Sequence, residues 1–240
     1  MSRVLAIARR ELRSSFNSPV AYGVIISFLL FTAVSLFFLS AFFTMNQADL
    51  RQYFDLMLKA FAFVIPAITM RAWAEERRTG TYELLLTLPF TEAELVLGKF
   101  LAAFALALVA ILLTIPVPLA ISLLGSFDPG VLVAQYLGVI LAAGAAVALG
   151  QWVSSLAKNQ ISAFLGAAFA MIFLVFINAL ANFLQFGGVL AAILNWLSLA
   201  FHYEAFSRGV ADSRDLAYFI AFGVLFLYLS TWNLTRRKWS

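Results

Sequence analysis

The chain has 240 residues, of which 63% are hydrophobic and only 12% are charged, and its net charge is +4. A soluble domain carries about 25% charged residues, so the polar surface here is too small to coat a water-soluble globule. The chain has no Cys and a single His, which excludes disulfides, thiolate metal sites and a bis-histidine haem site within one chain. The surplus of positive charge follows a membrane topology, as shown below, and does not indicate nucleic-acid binding.

Residues 1–19 have an amphipathic pattern. One helical face carries the apolar residues Val4, Leu5, Ala8, Leu12 and Phe16, and the opposite face carries Arg3, Arg9, Arg10 and Arg13. The pattern predicts an interfacial helix that lies along the membrane surface. Its arginines could face lipid phosphates, acting as a topology anchor, or contact a partner protein, and both roles can hold together.

Long apolar segments follow along the whole chain. A bilayer core is crossed by about 20 mostly apolar residues. Six segments meet this requirement, so we expect an all-α integral membrane protein with six transmembrane helices. They are Val20–Phe43, Tyr53–Ala72, Phe100–Leu124, Val131–Ser154, Ile161–Phe183 and Leu216–Thr235.

The basic residues predict the orientation of these spans. With six spans, both termini and two of the loops lie on the same side of the membrane. These four segments carry four, four, one and three of the 16 Lys and Arg residues. They are Arg3, Arg9, Arg10 and Arg13; Arg71, Arg77, Arg78 and Lys99; Lys158; and Arg236, Arg237 and Lys238. Because cytoplasmic segments are enriched in Lys and Arg, both termini are predicted to be cytoplasmic.

The loop between the second and third spans, residues 73–98, contains a short Leu-rich segment. Gly80 allows a sharp turn, a helix over Tyr82–Leu88 follows, and Pro89 ends it. Thr91 and Glu94 form a capping-box pattern that starts the next helix. An apolar helix with charged flanks on the cytoplasmic side indicates a docking element for another protein, or one that folds back onto the bilayer surface.

Residues 184–215, between the fifth and sixth spans, predict a hairpin on the outer side. Gly187 and Gly188 interrupt the helix, and Val189–Leu199 is apolar but too short to span. A polar run follows, in which Glu204 and Arg208 have the spacing of a helical ion pair. The pattern predicts a re-entrant or interfacial hairpin in which His202 makes hydrogen bonds.

Small residues recur every fourth position in two spans. The fourth span contains Gly138, Ala142, Ala146 and Gly150, and the fifth contains Ser162, Gly166 and Ala170. Such spacing lets helix backbones approach closely. We expect packing within the chain, with a dimer face as the alternative.

Polar residues are sparse inside the predicted spans. Asp55 and Lys59 have the i,i+4 spacing of an ion pair near the outer end of the second span. Asn178 and Asn182 lie along one stripe of the fifth span, where they could line a transport pathway. Interhelical hydrogen bonds are the favoured interpretation for these two amides.

Several segments resemble ABC-2 type transporter permeases, and together they extend over essentially the whole chain. The segment Met70–Pro89, followed by Gly98-Lys99-Phe100, resembles the coupling-helix region of these permeases. Four further segments resemble the gliding-motility (GldF-like) branch: Phe16–Tyr22, Pro66–Arg71, Asn159–Phe164 and His202–Val210.

The resemblance implies a single transmembrane domain over residues 1–240 that pairs with a second permease subunit, identical or not, in a bacterial inner membrane. The coupling helix would dock in a groove of an ABC ATPase through Glu75, Glu76, Arg77, Arg78, Gly80, Thr81, Tyr82, Glu83, Leu84 and Leu85. The outer hairpin, with His202, Tyr203, Glu204 and Arg208, would cap the pathway. An extracytoplasmic partner protein is a further implication of the gliding-motility branch.

The sequence lacks a nucleotide-binding motif of its own. No G-x-x-x-x-G-K-[ST] pattern occurs, so ATP and Mg²⁺ would be bound by the partner ATPase and no cofactor by this chain. The predicted function is therefore a non-catalytic permease of an ATP-driven transporter, which exports a substrate or moves an extracytoplasmic partner.

Two other classes of function were weighed against this one. An ion-coupled secondary transporter is the alternative, but it needs ionisable groups near the bilayer midplane, and these spans are nearly free of charge. An intramembrane enzyme needs a catalytic constellation or a set of metal ligands, and the sequence offers neither.

Overall fold

The computed structural model describes residues 3–36, 50–81, 90–122, 128–185 and 187–238. Across these ranges the chain is predominantly helical and contains no strand. The helices are α1 Arg3–Phe16, α2 Pro19–Val34, α3 Arg51–Thr69, α4 Arg71–Thr79, α5 Glu92–Leu112, α6 Pro116–Ser122, α7 Pro129–Leu156, α8 Gln160–Phe183, α9 Gly188–Leu197, α10 Leu199–Ser207 and α11 Ser213–Lys238. The predicted helix Tyr82–Leu88 lies outside the described residues.

Several helices begin at a polar residue that caps their free backbone N–H groups. Ser18, Asp128 and Asn159 accept backbone hydrogen bonds at the starts of α2, α7 and α8. At α5, the Thr91 side chain accepts from the Glu94 N–H, while the Glu94 carboxylate accepts from the Thr91 N–H. The predicted capping box is therefore confirmed.

Between five and seven helical stretches of the described residues could cross a membrane, by their length and composition. Five helical stretches are long and apolar enough to cross a bilayer, namely Arg51–Thr79, Glu92–Ser122, Pro129–Leu156, Gln160–Phe183 and Ser213–Arg236. Two further pairs of helices are long and apolar enough to cross a bilayer only when the two helices of the pair are taken together. Each pair is sharply bent at its break: α1 with α2, by 76°, and α9 with α10, by 73°. A multi-pass helical membrane protein is confirmed, while the count of six stays a prediction.

Two of the predicted spans are interrupted near prolines. The second breaks at Met70, four residues after Pro66, so that α3 and α4 are separate helices. The third begins earlier than predicted, at Glu92, and breaks after Leu112 before it resumes at Pro116. Proline lacks the N–H that continues a helical ladder, which accounts for the break ahead of Pro116.

Helix α7 is central and packs against α3, α5, α8, α10 and α11. Its small-residue stripe is buried, which confirms the prediction of packing within the chain. A Cβ atom added at Gly138 would lie 2.5 Å from the Cβ of Phe206, and one at Gly150 would lie 2.3 Å from the Thr69 Oγ1. Only glycine allows α10 and α3 to approach α7 this closely.

The corresponding stripe on α8 is only partly covered by this chain. Ser162 and Gly166 are exposed, although a Cβ added at Gly166 would lie 3.0 Å from the Val153 Cγ1 of α7, and Ala170 packs against the core. Packing within the chain and a dimer face therefore both stay open for this stripe. The core-facing side of α8 is formed by Ala163, Ala167 and Met171, all fully buried. A helix with small residues on more than one face can turn either face inward, and the spacing alone does not decide between them.

Helix α1 crosses the end of the bundle and packs against α5. Ile7 is buried at this contact, and a Cβ at Gly98 would lie 2.6 Å from the Ile7 Cγ2. The arginines of the opposite face are exposed. The predicted amphipathic helix is therefore present, and its position at the membrane surface stays a prediction.

Residues 188–207, which lie in the predicted outer hairpin, form two short helices. Gly188 has φ +65°, a left-handed conformation that suits glycine, and the predicted break at this glycine pair is confirmed. Ser198 separates α9 from α10 and caps the second helix by accepting a hydrogen bond from the Phe201 N–H. The predicted re-entrant or interfacial hairpin stays a prediction.

Candidate functional site

The segments predicted to be cytoplasmic meet at one end of the bundle, around the last turn of α7. We call this turn, formed by Gln151, Ser154, Ser155 and Ala157, the α7 junction. The Gln151 Nε2 donates a 2.9 Å hydrogen bond to the Val96 carbonyl oxygen of α5. The Asn233 Nδ2 of α11 donates to the Ser155 carbonyl oxygen at 3.0 Å. The α7 junction therefore fixes the neighbouring ends of α5 and α11.

Ser154 holds the break between α3 and α4. Its Oγ accepts hydrogen bonds from the backbone N–H groups of Trp73 and Ala74, at 3.1 and 3.3 Å, and donates to the Met70 carbonyl oxygen at 3.2 Å. These are backbone groups that a helix break leaves without their usual partners. One serine hydroxyl on α7 therefore stabilises the angle at which α4 leaves α3.

Arg77 ties α4 to the α7 junction a second time. Its guanidinium donates to the Ala157 carbonyl oxygen at 2.8 Å and also to that of Ser155. A cation at the C-terminal carbonyls of a helix is favoured by the helix dipole as well as by the hydrogen bonds. Of the residues predicted to contact an ATPase, Arg77 is thus engaged within the chain.

A buried ion cluster joins α1, α4 and α5. The Lys99 Nζ lies 2.6 Å from a Glu76 carboxylate oxygen and 3.4 Å from one of Glu11, and the Lys99 side chain is only 3% exposed. The ammonium also lies 5.0 Å from the ring centroid of Trp73. We call Lys99, Glu76 and Glu11 the Lys99 cluster.

The two carboxylates of the Lys99 cluster respond differently to their surroundings. Burial raises the pKa of Glu76, and the Lys99 ammonium offsets this effect only in part. Burial acts on Glu11 in the same direction, but the positive charges of Lys99 and Arg10 together bring the pKa of Glu11 below its ordinary value. Arg10, which donates a hydrogen bond to Glu11, explains why the pKa of Glu11 is lowered while that of Glu76 is raised.

The remaining predicted coupling residues lie at or near the surface. Glu75 is half-buried, lines the cavity between α1, α4 and α5, and pairs with Arg78 at 2.9 Å through one carboxylate oxygen. Gly80 has φ +72° and ends α4 in the left-handed conformation, which confirms the predicted turn. Thr81 is exposed beyond it. Tyr82, Glu83, Leu84 and Leu85 lie outside the described residues, so the contact predicted for them stays a prediction.

At the opposite end of the bundle, His202 forms the centre of an aromatic and charged group. Its Nδ1 lies 2.7 Å from the Asp215 Oδ1, its Nε2 lies 2.9 Å from the Trp196 carbonyl oxygen, and its ring stacks on Tyr218. The predicted hydrogen-bonding role of His202 is confirmed. Since both neighbours are acceptors, both contacts are hydrogen bonds only when each ring nitrogen carries a proton.

The other residues predicted for the outer hairpin divide into two kinds. Glu204 and Arg208 are exposed and form the predicted ion pair on α10. Both line a cavity of about 670 Å³ between α10 and α11. Tyr203 is instead buried in the core against Gly138, so it is not available to a partner. The helical spacing along α10 accounts for this division, because Glu204 and Arg208 lie on one face of the helix and Tyr203 lies on another.

The amides of Asn178 and Asn182 contact each other. The Asn182 Nδ2 donates to the Asn178 Oδ1 at 3.0 Å, along one face of α8, and Asn182 is exposed. Hydrogen bonds between helices and a place on the pathway therefore both stay predictions for these two amides. Asp55 and Lys59 form the predicted ion pair on α3 at 2.7 Å.

Sequence reasoning missed two functional residues of this site. The sequence predicts Lys99 as a topology charge and as part of the segment that resembles a coupling-helix region, but it does not predict the ion cluster. A lysine that follows Gly98 inside an apolar helix is the signal that indicates such a buried charge. Ser154 gave no signal, since a serine near a helix end is common. Within the described ranges, no group of three His, Asp or Glu residues could hold a metal ion.

Comparison of the chain with known proteins identifies its family. No curated protein matches the chain. The model of the ABC-2 family transporter proteins matches residues 5–239, which is nearly the full length of the chain. The chain therefore belongs to the ABC-2 family of transporter proteins, and as a multi-pass member it is a permease of an ABC transporter.

Proposed function

We propose that the chain couples ATP hydrolysis by a separate ATPase subunit to the export of a substrate or the movement of an extracytoplasmic partner protein. It would do so in a bacterial inner membrane, with both termini cytoplasmic, as a member of the gliding-motility (GldF-like) branch. The observation that carries the proposal is the α7 junction, which binds α4, α5 and α11 at the end of the bundle where residues 82–89 connect α4 to α5.

The route from the loop to the spans follows from this geometry. Residues 82–89 leave α4 after Gly80 and re-enter at the capping box of α5, so both ends of the loop are attached to well-defined helices. Helix α4 is fixed to α7 through Arg77 and Ser154. A push on the loop by an ATPase would therefore be transmitted through α4 and α5 to α7 and would move the three helices together. ATP and Mg²⁺ would be bound entirely by the ATPase.

Substitutions in the loop test this coupling. We expect Glu83→Ala and Leu84→Asp to reduce co-purification of a P-loop ATPase from native membranes by at least about fivefold, the loss expected at an interface hot spot. The amount of ATPase is measured by mass spectrometry and by Mg-ATP hydrolysis in the purified complex. Glu204→Ala, at the opposite end, is the matched control and should leave association unchanged. Full ATPase association by both loop variants would contradict the assignment.

A second permease subunit would cover the exposed face of α8. The amide pair of Asn178 and Asn182 lies at one edge of this face, and amides gain little from contact with lipid. Amide contacts across the interface would favour a second copy at this edge of α8. The same amides could line a pathway between the two halves.

Cysteine cross-linking tests the position of this interface, since the natural chain contains no Cys. We expect Asn182→Cys to form a disulfide-linked dimer in membranes under mild oxidation, because the two copies would bring this position together. Val224→Cys, exposed on α11, is the control and should remain monomeric on a non-reducing gel. Equal cross-linking of the two variants would contradict a specific α8 interface.

A further inference from the structure

We propose that the cavity between α1, α4 and α5 binds the headgroup of an aminophospholipid, a lipid whose head carries a phosphate and a primary ammonium. The cavity has a volume of about 490 Å³ and lies at the end of the bundle that contains the α7 junction. The residues that matter for the ligand are Arg10, Ser18, Arg71, Glu75, Glu76 and Lys99. The inference concerns lipid binding by this chain and does not depend on an ATPase.

Arg71 supplies the phosphate end of the proposed site. One of its terminal nitrogens donates a 2.5 Å hydrogen bond to the Ser18 Oγ, while its Nε is buried and has no hydrogen-bond partner. No carboxylate of the described residues pairs with this guanidinium. Ser18 also caps the N-terminus of α2, whose dipole adds positive potential beside Arg71. A phosphate here would satisfy the Nε–H and the charge together.

Glu75 and Glu76 supply the ammonium end. Each uses its Oε1 in an ion pair, with Arg78 and Lys99 respectively, and each has a buried Oε2 without a hydrogen-bond partner. A primary ammonium has three N–H donors and could satisfy both oxygens. A trimethylammonium group has no such donor, so the geometry favours ethanolamine-type heads over choline-type heads.

The charge around the cavity favours a zwitterion. Its lining contains three cations, Arg10, Arg71 and Lys99, and three carboxylates, Glu11, Glu75 and Glu76. A zwitterionic headgroup keeps this balance, whereas the head of an anionic lipid would add a negative charge without a matching cation. An uncompensated buried charge is costly.

A narrow apolar cleft of about 50 Å³ continues from the cavity and is wide enough for the first few carbons of an acyl chain, the rest of which would lie in the bilayer. The two spaces share Ser15, Ser18, Ile68 and Arg71. Beyond them the cleft runs between Val20, Ala21, Val24, Ala67 and Leu106, which are apolar. A polar chamber that opens into an apolar cleft matches an amphiphile better than a soluble metabolite.

Native mass spectrometry of the purified full-length chain tests the proposal. We compare phosphatidylethanolamine, phosphatidylcholine and phosphatidylglycerol of identical acyl composition, with soluble phosphoethanolamine as a fourth probe. Phosphatidylethanolamine should bind on the order of tenfold tighter than the other two lipids, the effect of about one charge-assisted hydrogen bond. Equal affinity for all three lipids would overturn the site, and equal affinity for soluble phosphoethanolamine would overturn its assignment to a lipid.

Two variants locate the binding. Arg71→Gln should weaken phosphatidylethanolamine binding by about tenfold, and Glu75→Gln should reduce its advantage over phosphatidylcholine. Arg13→Gln, on the exposed face of α1 outside the cavity, is the matched control and should have no effect. If Arg71→Gln does not fold, Glu75→Gln decides alone, since Glu75 makes only a surface ion pair. Variants indistinguishable from the control would refute the proposal.

Discussion

Lys99→Met is expected to destabilise the chain by about 3 kcal/mol, because it leaves two carboxylates in a buried site without their shared cation. Methionine fills a similar volume, so the loss of stability would come from the missing ammonium charge and not from a cavity. Glu76 and Glu11 both lie within ion-pair distance of the ammonium, which is itself almost completely buried. The measurement is thermal or denaturant unfolding of the purified chain in detergent.

The control for this experiment is Lys158→Met, since Lys158 is an exposed lysine between α7 and α8. It should change the free energy of unfolding by less than about 0.5 kcal/mol, as surface substitutions usually do. Adding Glu76→Gln and Glu11→Gln to Lys99→Met should restore much of the lost stability, because neutral amides tolerate burial better than unpaired charges. A Lys99→Met protein as stable as Lys158→Met would show that the cluster contributes no net stability.

Local rules account for the parts of the structure that the sequence predicted well. The capping box of Thr91 and Glu94, the turn at Gly80 and the break at Gly188 each depend on residues within a few positions of one another. The same holds for the ion pairs Asp55–Lys59 and Glu204–Arg208, where helical spacing alone brings the charges together. Such features need no knowledge of how the helices pack.

Tertiary contacts account for what the sequence did not predict. Ser154 meets Met70, and Lys99 meets Glu11, only because α7, α4, α5 and α1 converge. Many other pairings of serines and charged residues would satisfy the same sequence pattern. The stripe on α8 is only partly covered by this chain for a related reason, since a small-residue repeat serves contacts within a chain and between chains equally well.

A pair of glycine substitutions on α7 should have opposite effects on stability. Gly138→Ala is expected to destabilise the chain by about 2 kcal/mol, because the new Cβ overpacks a filled core. It would lie 2.5 Å from the Phe206 Cβ and 2.9 Å from the Tyr203 Cε2, so α10 would have to move away from α7. Thermal unfolding of the purified chain in detergent gives the size of the loss.

Gly144→Ala is the matched change on the same helix. Its Cβ would first meet the far edge of the Phe104 ring, at 3.4 Å, which is ordinary van der Waals contact. Alanine favours a helix over glycine by up to about 1 kcal/mol, so this variant should be as stable as the natural chain or more stable. If Gly138→Ala stabilised the chain as well, helix propensity rather than the approach of α10 to α7 would govern this helix. The opposite signs are expected because the two glycines share a helix and differ in what faces them.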